Sequence, residues 1–158
     1  MYDILFKAIN EHPVHMEDIR ALEARFHFQM PEDMRQFYLE NNGGFLHSGI
    51  YIDPEGCRIT EFNSIAFPFH EHIPTIDTLL KWQEMDGFIP MQYIPFCNDE
   101  AGDSYYIRTD ADGYGKVYYL CHEFWDEFEE APEDSLVAGS FSDFLEKMRS
   151  SLGQAENH

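Results

Sequence analysis

Several groups of side chains have the types and spacing for chemistry. His70-Glu71-His72 sets two imidazoles two residues apart, His12 and His15 lie three apart, and His122-Glu123 follows an apolar run. Zinc requires three or four convergent nitrogen, sulfur or oxygen ligands. On a strand His70 and His72 would share one face, and Cys57, Cys97 or Cys121 would complete a set. The metalloprotease pattern His-Glu-x-x-His is absent, and histidines in partly exposed loops explain the same residues, so no metal and no other cofactor is expected. Asp110-Ala111-Asp112-Gly113 resembles part of a calcium loop. Counting its two acids as ligands places Tyr119 where the closing bidentate carboxylate belongs, so a hairpin turn is the better reading.

Nucleophilic catalysis fares no better. Ser64, Ser104 or Ser140 would need a positioned base, and Cys97 or Cys121 a nearby histidine. Cys121 and His122 are neighbours, whose side chains point to opposite faces of a strand. The chain has no Gly-x-Ser-x-Gly elbow and no Gly-x-x-x-x-Gly-Lys phosphate loop. With 30 acidic residues, close carboxylate pairs arise by chance, so general acid–base work is not inferred from them. No catalytic residue is assigned, and the chain is expected not to be an enzyme.

The remaining constellation is an acidic belt. Asp99, Glu100 and Asp103 enter a predicted hairpin, and Asp110 and Asp112 sit at its turn. Glu123, Asp126, Glu127, Glu129, Glu130, Glu133 and Asp134 follow, interleaved with Phe124, Trp125 and Phe128. Acids alone would form a solvated face. Acids around exposed aromatics have the anatomy of a protein interface, with apolar anchors inside a charged rim. Those acids and Trp125 are therefore the candidate protein-binding residues.

The belt belongs to a chain of formal net charge −20, from 30 Asp and Glu against 10 Lys and Arg. Such a surface repels phosphate and anionic lipid, so neither nucleic acid nor membrane is an expected partner. It attracts cationic protein surfaces and speeds encounter with them. High charge also serves solubility alone. Three cysteines, an odd number without Cys-x-x-Cys, suit a reducing compartment. The opening Met1–Asn10 lacks the basic region and apolar run of a secretory signal, and no apolar stretch has the length of a membrane span. A cytoplasmic protein is expected.

The elements that must position these residues follow from periodicity and caps. Ile4, Leu5, Ala8 and Ile9 predict a short amphipathic helix ending near Pro13. Ile19, Leu22 and Phe26 mark a second, from about Met16 to Phe26. A third starts at Pro31 as its first helical position, with Glu32 and Asp33 favourably placed at the positive end, and stops at Asn41-Asn42-Gly43-Gly44. Gly49–Ile52 and Arg58–Phe62 read as short strands around a turn at Asp53-Pro54-Glu55-Gly56. Thr75 caps a helix over Ile76–Met85, with Ile76, Leu79, Leu80 and Trp82 as its apolar residues. Tyr93–Phe96 is a strand, and Tyr105–Arg108 with Lys116–Leu120 forms a hairpin. Ser140 and Asp143 cap a last helix with Phe141, Phe144, Leu145 and Met148 on one face. Helices, then clustered antiparallel strands, then a helix define an α+β fold: one domain over residues 1–150, with a frayed, disordered tail at 151–158.

Five stretches in this order resemble a known family. They are Met30-Pro31-Glu32-Asp33, the helix end at Asn42-Gly43-Gly44, Ile94-Pro95-Phe96 with Asp99-Glu100-Ala101-Gly102-Asp103-Ser104-Tyr105, Gly115-Lys116-Val117-Tyr118, and Val137-Ala138-Gly139-Ser140-Phe141-Ser142-Asp143-Phe144-Leu145. The chain resembles the SUKH superfamily, or Smi/Knr cell-wall-assembly-regulator family, over roughly Glu17 to Met148. Met30 stands where the family usually has Leu, and Gly139 where an acid is common. The resemblance implies a single domain with a twisted, mostly antiparallel sheet packed by helices. It also implies function: bacterial members are mostly immunity proteins that neutralise toxin domains, many of them nucleases, and fungal members regulate wall synthesis as hubs. A cytoplasmic, bacterial immunity protein that binds a cognate cationic polymorphic toxin domain is the leading expectation, and a regulatory or scaffolding module is the alternative. The motifs themselves read as structure. Gly43, Gly44 and Gly102 suit unusual dihedrals or close packing, and Ser140 suits a helix cap.

Overall fold

A computed structural model describes residues 2–53, 56–121 and 131–156. Among the described residues, seven strands form one sheet in simple chain order: β1 (Phe6–Ile9), β2 (Gly44–Leu46), β3 (Ile59–Phe62), β4 (Tyr93–Asp99), β5 (Ser104–Arg108), β6 (Val117–Leu120) and β7 (Leu136–Ala138). Every neighbouring pair is antiparallel. Among the described residues, four helices join it: α1 (Met16–Phe26), α2 (Glu32–Glu40), α3 (Ile76–Asp86) and α4 (Phe141–Glu156). The fold is the expected α+β class.

The core lies where apolar helix faces meet one face of the sheet. Ile19, Leu22 and Phe26 of α1, Met34, Phe37 and Tyr38 of α2, and Phe141, Phe144, Leu145 and Met148 of α4 are all buried. Phe62 of β3 and Phe96 of β4 pack against Phe141 and Phe144, with ring centroids 5.2–6.5 Å apart. Tilted and edge-to-face arrangements of this kind contribute beyond the area they bury. A smaller cluster, Ile89, Tyr93, Tyr106, Tyr118, Leu120 and Ala131, is separate. Tyr106 belongs to it while its neighbour Tyr105 belongs to the main core, so strand alternation places the small cluster on the opposite sheet face.

Local chemistry explains the segments that match expectation. Thr75 accepts a hydrogen bond from the Thr78 amide and caps α3, which ends at Gly87 with φ +71°. Ser140 Oγ accepts from the Asp143 amide at 3.0 Å and caps α4. β5 and β6 form the expected hairpin, with Ser104 opposite Leu120 and Ile107 opposite Val117.

Other expectations are corrected. The segment expected as a first helix is a single 3-10 turn at Asp3–Leu5 followed by β1. Pairing of Phe6 with Leu46 and Ile9 with Gly44 overrides its local periodicity. Pro31 is the residue before α2, not its first helical position. Helix α2 ends on Asn41 in extended conformation, so Gly43 and Gly44 do not cap it in the left-handed region. They serve close approach instead. A Cβ on Gly44 (φ +148°) would lie 2.3 Å from the Ala8 carbonyl oxygen, and one on Gly43 (φ +77°) 2.8 Å from that of Phe62. Between them the strands come as near as glycine alone permits. Asn42, buried beside them, donates to the carbonyls of His12 and Ile65 and accepts from the Ile65 amide. Gly49–Ile52 forms no strand. Within the tail expected from Ser151, α4 runs on through Glu156; Ser151 Oγ accepts from the Tyr51 amide at 3.0 Å and donates to the Met148 carbonyl, holding α4 against the loop before β3.

Candidate protein-binding surface

The acidic belt divides when its residues are placed. Asp99 and Asp103 are buried, 5% and 8% exposed. One Asp99 carboxylate oxygen accepts from the amides of Ala101 and Asp103, each at 3.0 Å. Its other oxygen accepts from the Tyr119 hydroxyl, which also approaches Asp103. These two acids build the β4–β5 turn and do not stand on a rim. Glu100 is exposed and pairs with Arg58 across 3.8 Å. Asp110 grips Arg108, accepting from Nη2 at 3.0 Å and from Nε. That guanidinium holds the Asp110 carboxyl below its ordinary range, chiefly through the hydrogen bond. Arg108 is 5% exposed, and a Cβ on Gly113 would lie 2.4 Å from its side chain. Asp110 therefore serves the turn. Asp112, Glu133 and Asp134 are exposed. Glu123, Trp125, Asp126, Glu127, Glu129 and Glu130, with Phe124 and Phe128, lie outside the described residues.

The other candidates do not converge. His70 and His72 lie in an exposed turn, not on a strand. Their rings are 5.4 Å apart by centroid, and His72 approaches the side chain of its neighbour Glu71. Among the described residues, no three His, Cys, Asp or Glu side chains are grouped to hold a metal ion. Cys97 is buried, while Cys57 and Cys121 are partly buried. Burial pushes the Cys97 thiol well up, and the Glu61 carboxylate adds to it, which suits an inert core thiol.

A surface that periodicity alone did not single out lies along α3. Ile76 and Leu80 turn into the main core. Gln83, 6% exposed, donates through Nε2 to the carbonyls of Pro90 and Tyr93, at 3.0 and 2.8 Å. It fixes the connection from α3 into β4. With Ile76, Leu80 and Gln83 inward, the helical period turns Trp82 and Met85 outward. Leu79, Trp82, Gln83 and Asp86 face Pro95, Ser104 and Tyr106 of the sheet, with Ile89 closing a groove of about 130 Å³. Trp82, expected on the helix's apolar face, is 52% exposed. The spacing becomes readable only once Gln83 is seen to turn inward. Residues 76, 80 and 83 complete one inward stripe, and a tryptophan at 82 falls outside it.

Beside the groove a polar chain crosses the sheet. Asn98 Nδ2 donates to Glu61 Oε1 and Asn63 Oδ1, each at 3.1 Å, and its Oδ1 accepts from Ser104 Oγ at 2.8 Å. Glu61 is 9% exposed. Burial raises the Tyr106 hydroxyl, and the carboxylate of Asp86 raises it further. The groove is lined mainly by apolar side chains, with Gln83 and Ser104 among them and the exposed Asp86 as its charged residue. Ser104, the one hydroxyl of the lining that was a candidate nucleophile, spends its Oγ on Asn98, and such a surface suits binding.

Among the described residues, a seven-stranded antiparallel meander with helices packed on it, and glycines that permit close strand approach, defines an α+β domain. The model of the SMI1 / KNR4 family (SUKH-1) matches residues 13–147, and the chain belongs to that family. A search of curated proteins finds no match. Among the described residues, no helix is long and apolar enough to cross a membrane.

Proposed function

We propose that this chain is an immunity protein that binds and neutralises a cognate, cationic toxin domain of the nuclease type. The observation that carries the reading is a net charge of −20 on a SUKH-family domain. A nuclease domain must be cationic to hold a polyphosphate substrate. An acidic protein seated on that surface excludes the substrate by occupancy, and its field speeds the encounter. No catalytic step is needed, and the same charge disfavours nucleic acid and membranes as partners. The protein acts in the cytoplasm, where an incoming nuclease would meet its substrate. Exposed Asp112, Glu133 and Asp134 contribute to steering, as do the acids from Glu123 to Glu130.

The test is affinity capture of the tagged chain from its native cells at low salt, followed by a salt gradient. The expected result is a basic domain that elutes as salt rises, cuts nucleic acid when free and stops cutting when the chain is restored. Recovery of wall-synthesis or signalling factors in its place would replace this reading with a regulatory, scaffolding one.

A further inference from the structure

Three large apolar side chains stand in solvent within a short span at the end of α3: Trp82 is 52% exposed, Met85 75% and Phe88 49%. Among the described residues, the other exposed large apolar side chains, Ile4, Ile9, Tyr114 and Leu136, lie on other elements. Isolated residues of that kind are ordinary on a protein surface, whereas a cluster marks an interaction site. This cluster adjoins the groove lined by Leu79, Trp82, Ile89, Pro95 and Tyr106, whose volume of about 130 Å³ equals about four waters. That is room for one inserted side chain. Trp82 is on a helix fixed at both ends, by the Thr75 cap and by the Gln83 bonds to Pro90 and Tyr93. It is therefore a preorganised anchor, the kind of residue on which binding energy concentrates.

Charge selects the occupant. Among the described residues, Asp86 is the one charged side chain lining the groove, and its carboxylate acts on Tyr106 at the groove wall. Glu84 stands nearby on the helix and holds Arg25 at 3.2 Å. Lys81 belongs to α3 but not to the groove lining. A second copy of this chain would bring a further −20 to the same face, and like charges oppose association.

We propose, building on the toxin-binding reading above, that the α3–β5 groove is the docking site for one apolar side chain of the cationic toxin domain. Trp82 packs against that side chain, and Asp86 meets a lysine or arginine beside it. The acidic loops then set the rate of encounter, and the groove sets the lifetime of the complex.

Two probes test this. The first is the purified basic domain recovered on the wild-type chain. Trp82→Ala is expected to weaken its binding at least about 30-fold, through faster dissociation with association unchanged, as for an interface anchor. Met85→Ala, at a still more exposed position, is expected to weaken it less. A loss below about threefold for Trp82→Ala overturns the docking site while capture by the wild type leaves the toxin-binding reading standing. The second probe is identity-independent: the peptides Lys-Lys-Leu-Lys-Lys and Lys-Lys-Gly-Lys-Lys, followed by NMR. The leucine peptide is expected to shift the Trp82 indole N–H and Tyr106 signals, and the glycine peptide to leave them in place. Equal shifts from both peptides, or shifts confined to other residues, overturn the groove even where no toxin domain is recovered.

Discussion

The Tyr119 hydroxyl donates to the carboxylate of Asp99, locking β6 to the turn that joins β4 and β5. Asp99 is buried and uses its other oxygen on the amides of Ala101 and Asp103. Removing the hydroxyl takes the donor from the Asp99 oxygen that the two amides do not serve, in a largely buried carboxylate. Tyr119→Phe is expected to lower stability by about 1–3 kcal/mol, the cost of a buried acceptor deprived of its partner. Urea denaturation of the two proteins checks this, and an unchanged midpoint would show the pair to be dispensable.

Gly44 separates β1 from β2 at a distance no side chain tolerates. Its φ of +148° and the crowding from the Ala8 carbonyl oxygen, 2.3 Å from where a Cβ would stand, act together. Gly44→Ala is expected to cost at least about 1–3 kcal/mol from backbone strain alone, and more if the strand must shift. Gly102→Ala has the same sign of φ but open space around it, so its cost should be smaller. Thermal melts of both variants separate crowding from dihedral strain, and equal losses would remove the crowding explanation.

The sequence showed the elements whose signals are local. Helix α1 shows its face at Ile19, Leu22 and Phe26, and α3 and α4 show their caps at Thr75 and Ser140. β1 was illegible because Ile4, Leu5, Ala8 and Ile9 fit a helical period, and only a partner strand nearly forty residues away decides otherwise. β2 and β7, three residues each, are too short to show alternation. The acids of the candidate site were visible as charges, but which of them fold inward was not. Asp99 and Asp103 look like rim residues until the turn geometry buries them, and Asp110 until Arg108 claims it. Trp82 was visible too, yet its outward direction depends on Gln83 taking the inward position, where a polar residue is unexpected.

The tyrosines predict alkaline sensitivity. Tyr38, Tyr105, Tyr106 and Tyr119 are all raised above the ordinary phenol value, burial being the first cause in each, with Asp99 adding to the effect at Tyr119. A phenol whose folded value exceeds its unfolded one favours the folded state while both are protonated. Its contribution is lost as pH rises past the unfolded value, near 10. Stability measured by urea at successive pH values is expected to fall steeply above that point. Stability that stays flat to about pH 11.5, well past the unfolded value, would contradict the burial of these hydroxyls.

Cys97 offers a check on the core. Its thiol is fully enclosed and pushed well up by desolvation, so thiolate, the reactive form, is scarce at about pH 8. Iodoacetamide is expected to leave Cys97 unmodified in the native protein and to label it in denaturant, as read by peptide mass spectrometry. Native labelling of Cys97 at the rate of a free thiol would mean that the sheet opens there.

Encounter with a cationic partner is expected to depend on exposed acids and not on buried ones. Glu133 and Asp134 are exposed in the 3-10 turn before β7, whereas Asp99 and Asp103 are enclosed. Reversing Glu133 and Asp134 together to lysine should slow association with the captured basic domain by about tenfold at low ionic strength. The difference should fade as salt shortens the screening length to about 3 Å near 1 M. Dissociation should be unaffected, which distinguishes these residues from Trp82. Stopped-flow association at several salt concentrations decides the matter. If the association rate of the double variant matches the wild type throughout, steering does not run through this turn, and the acids elsewhere on the chain must supply it.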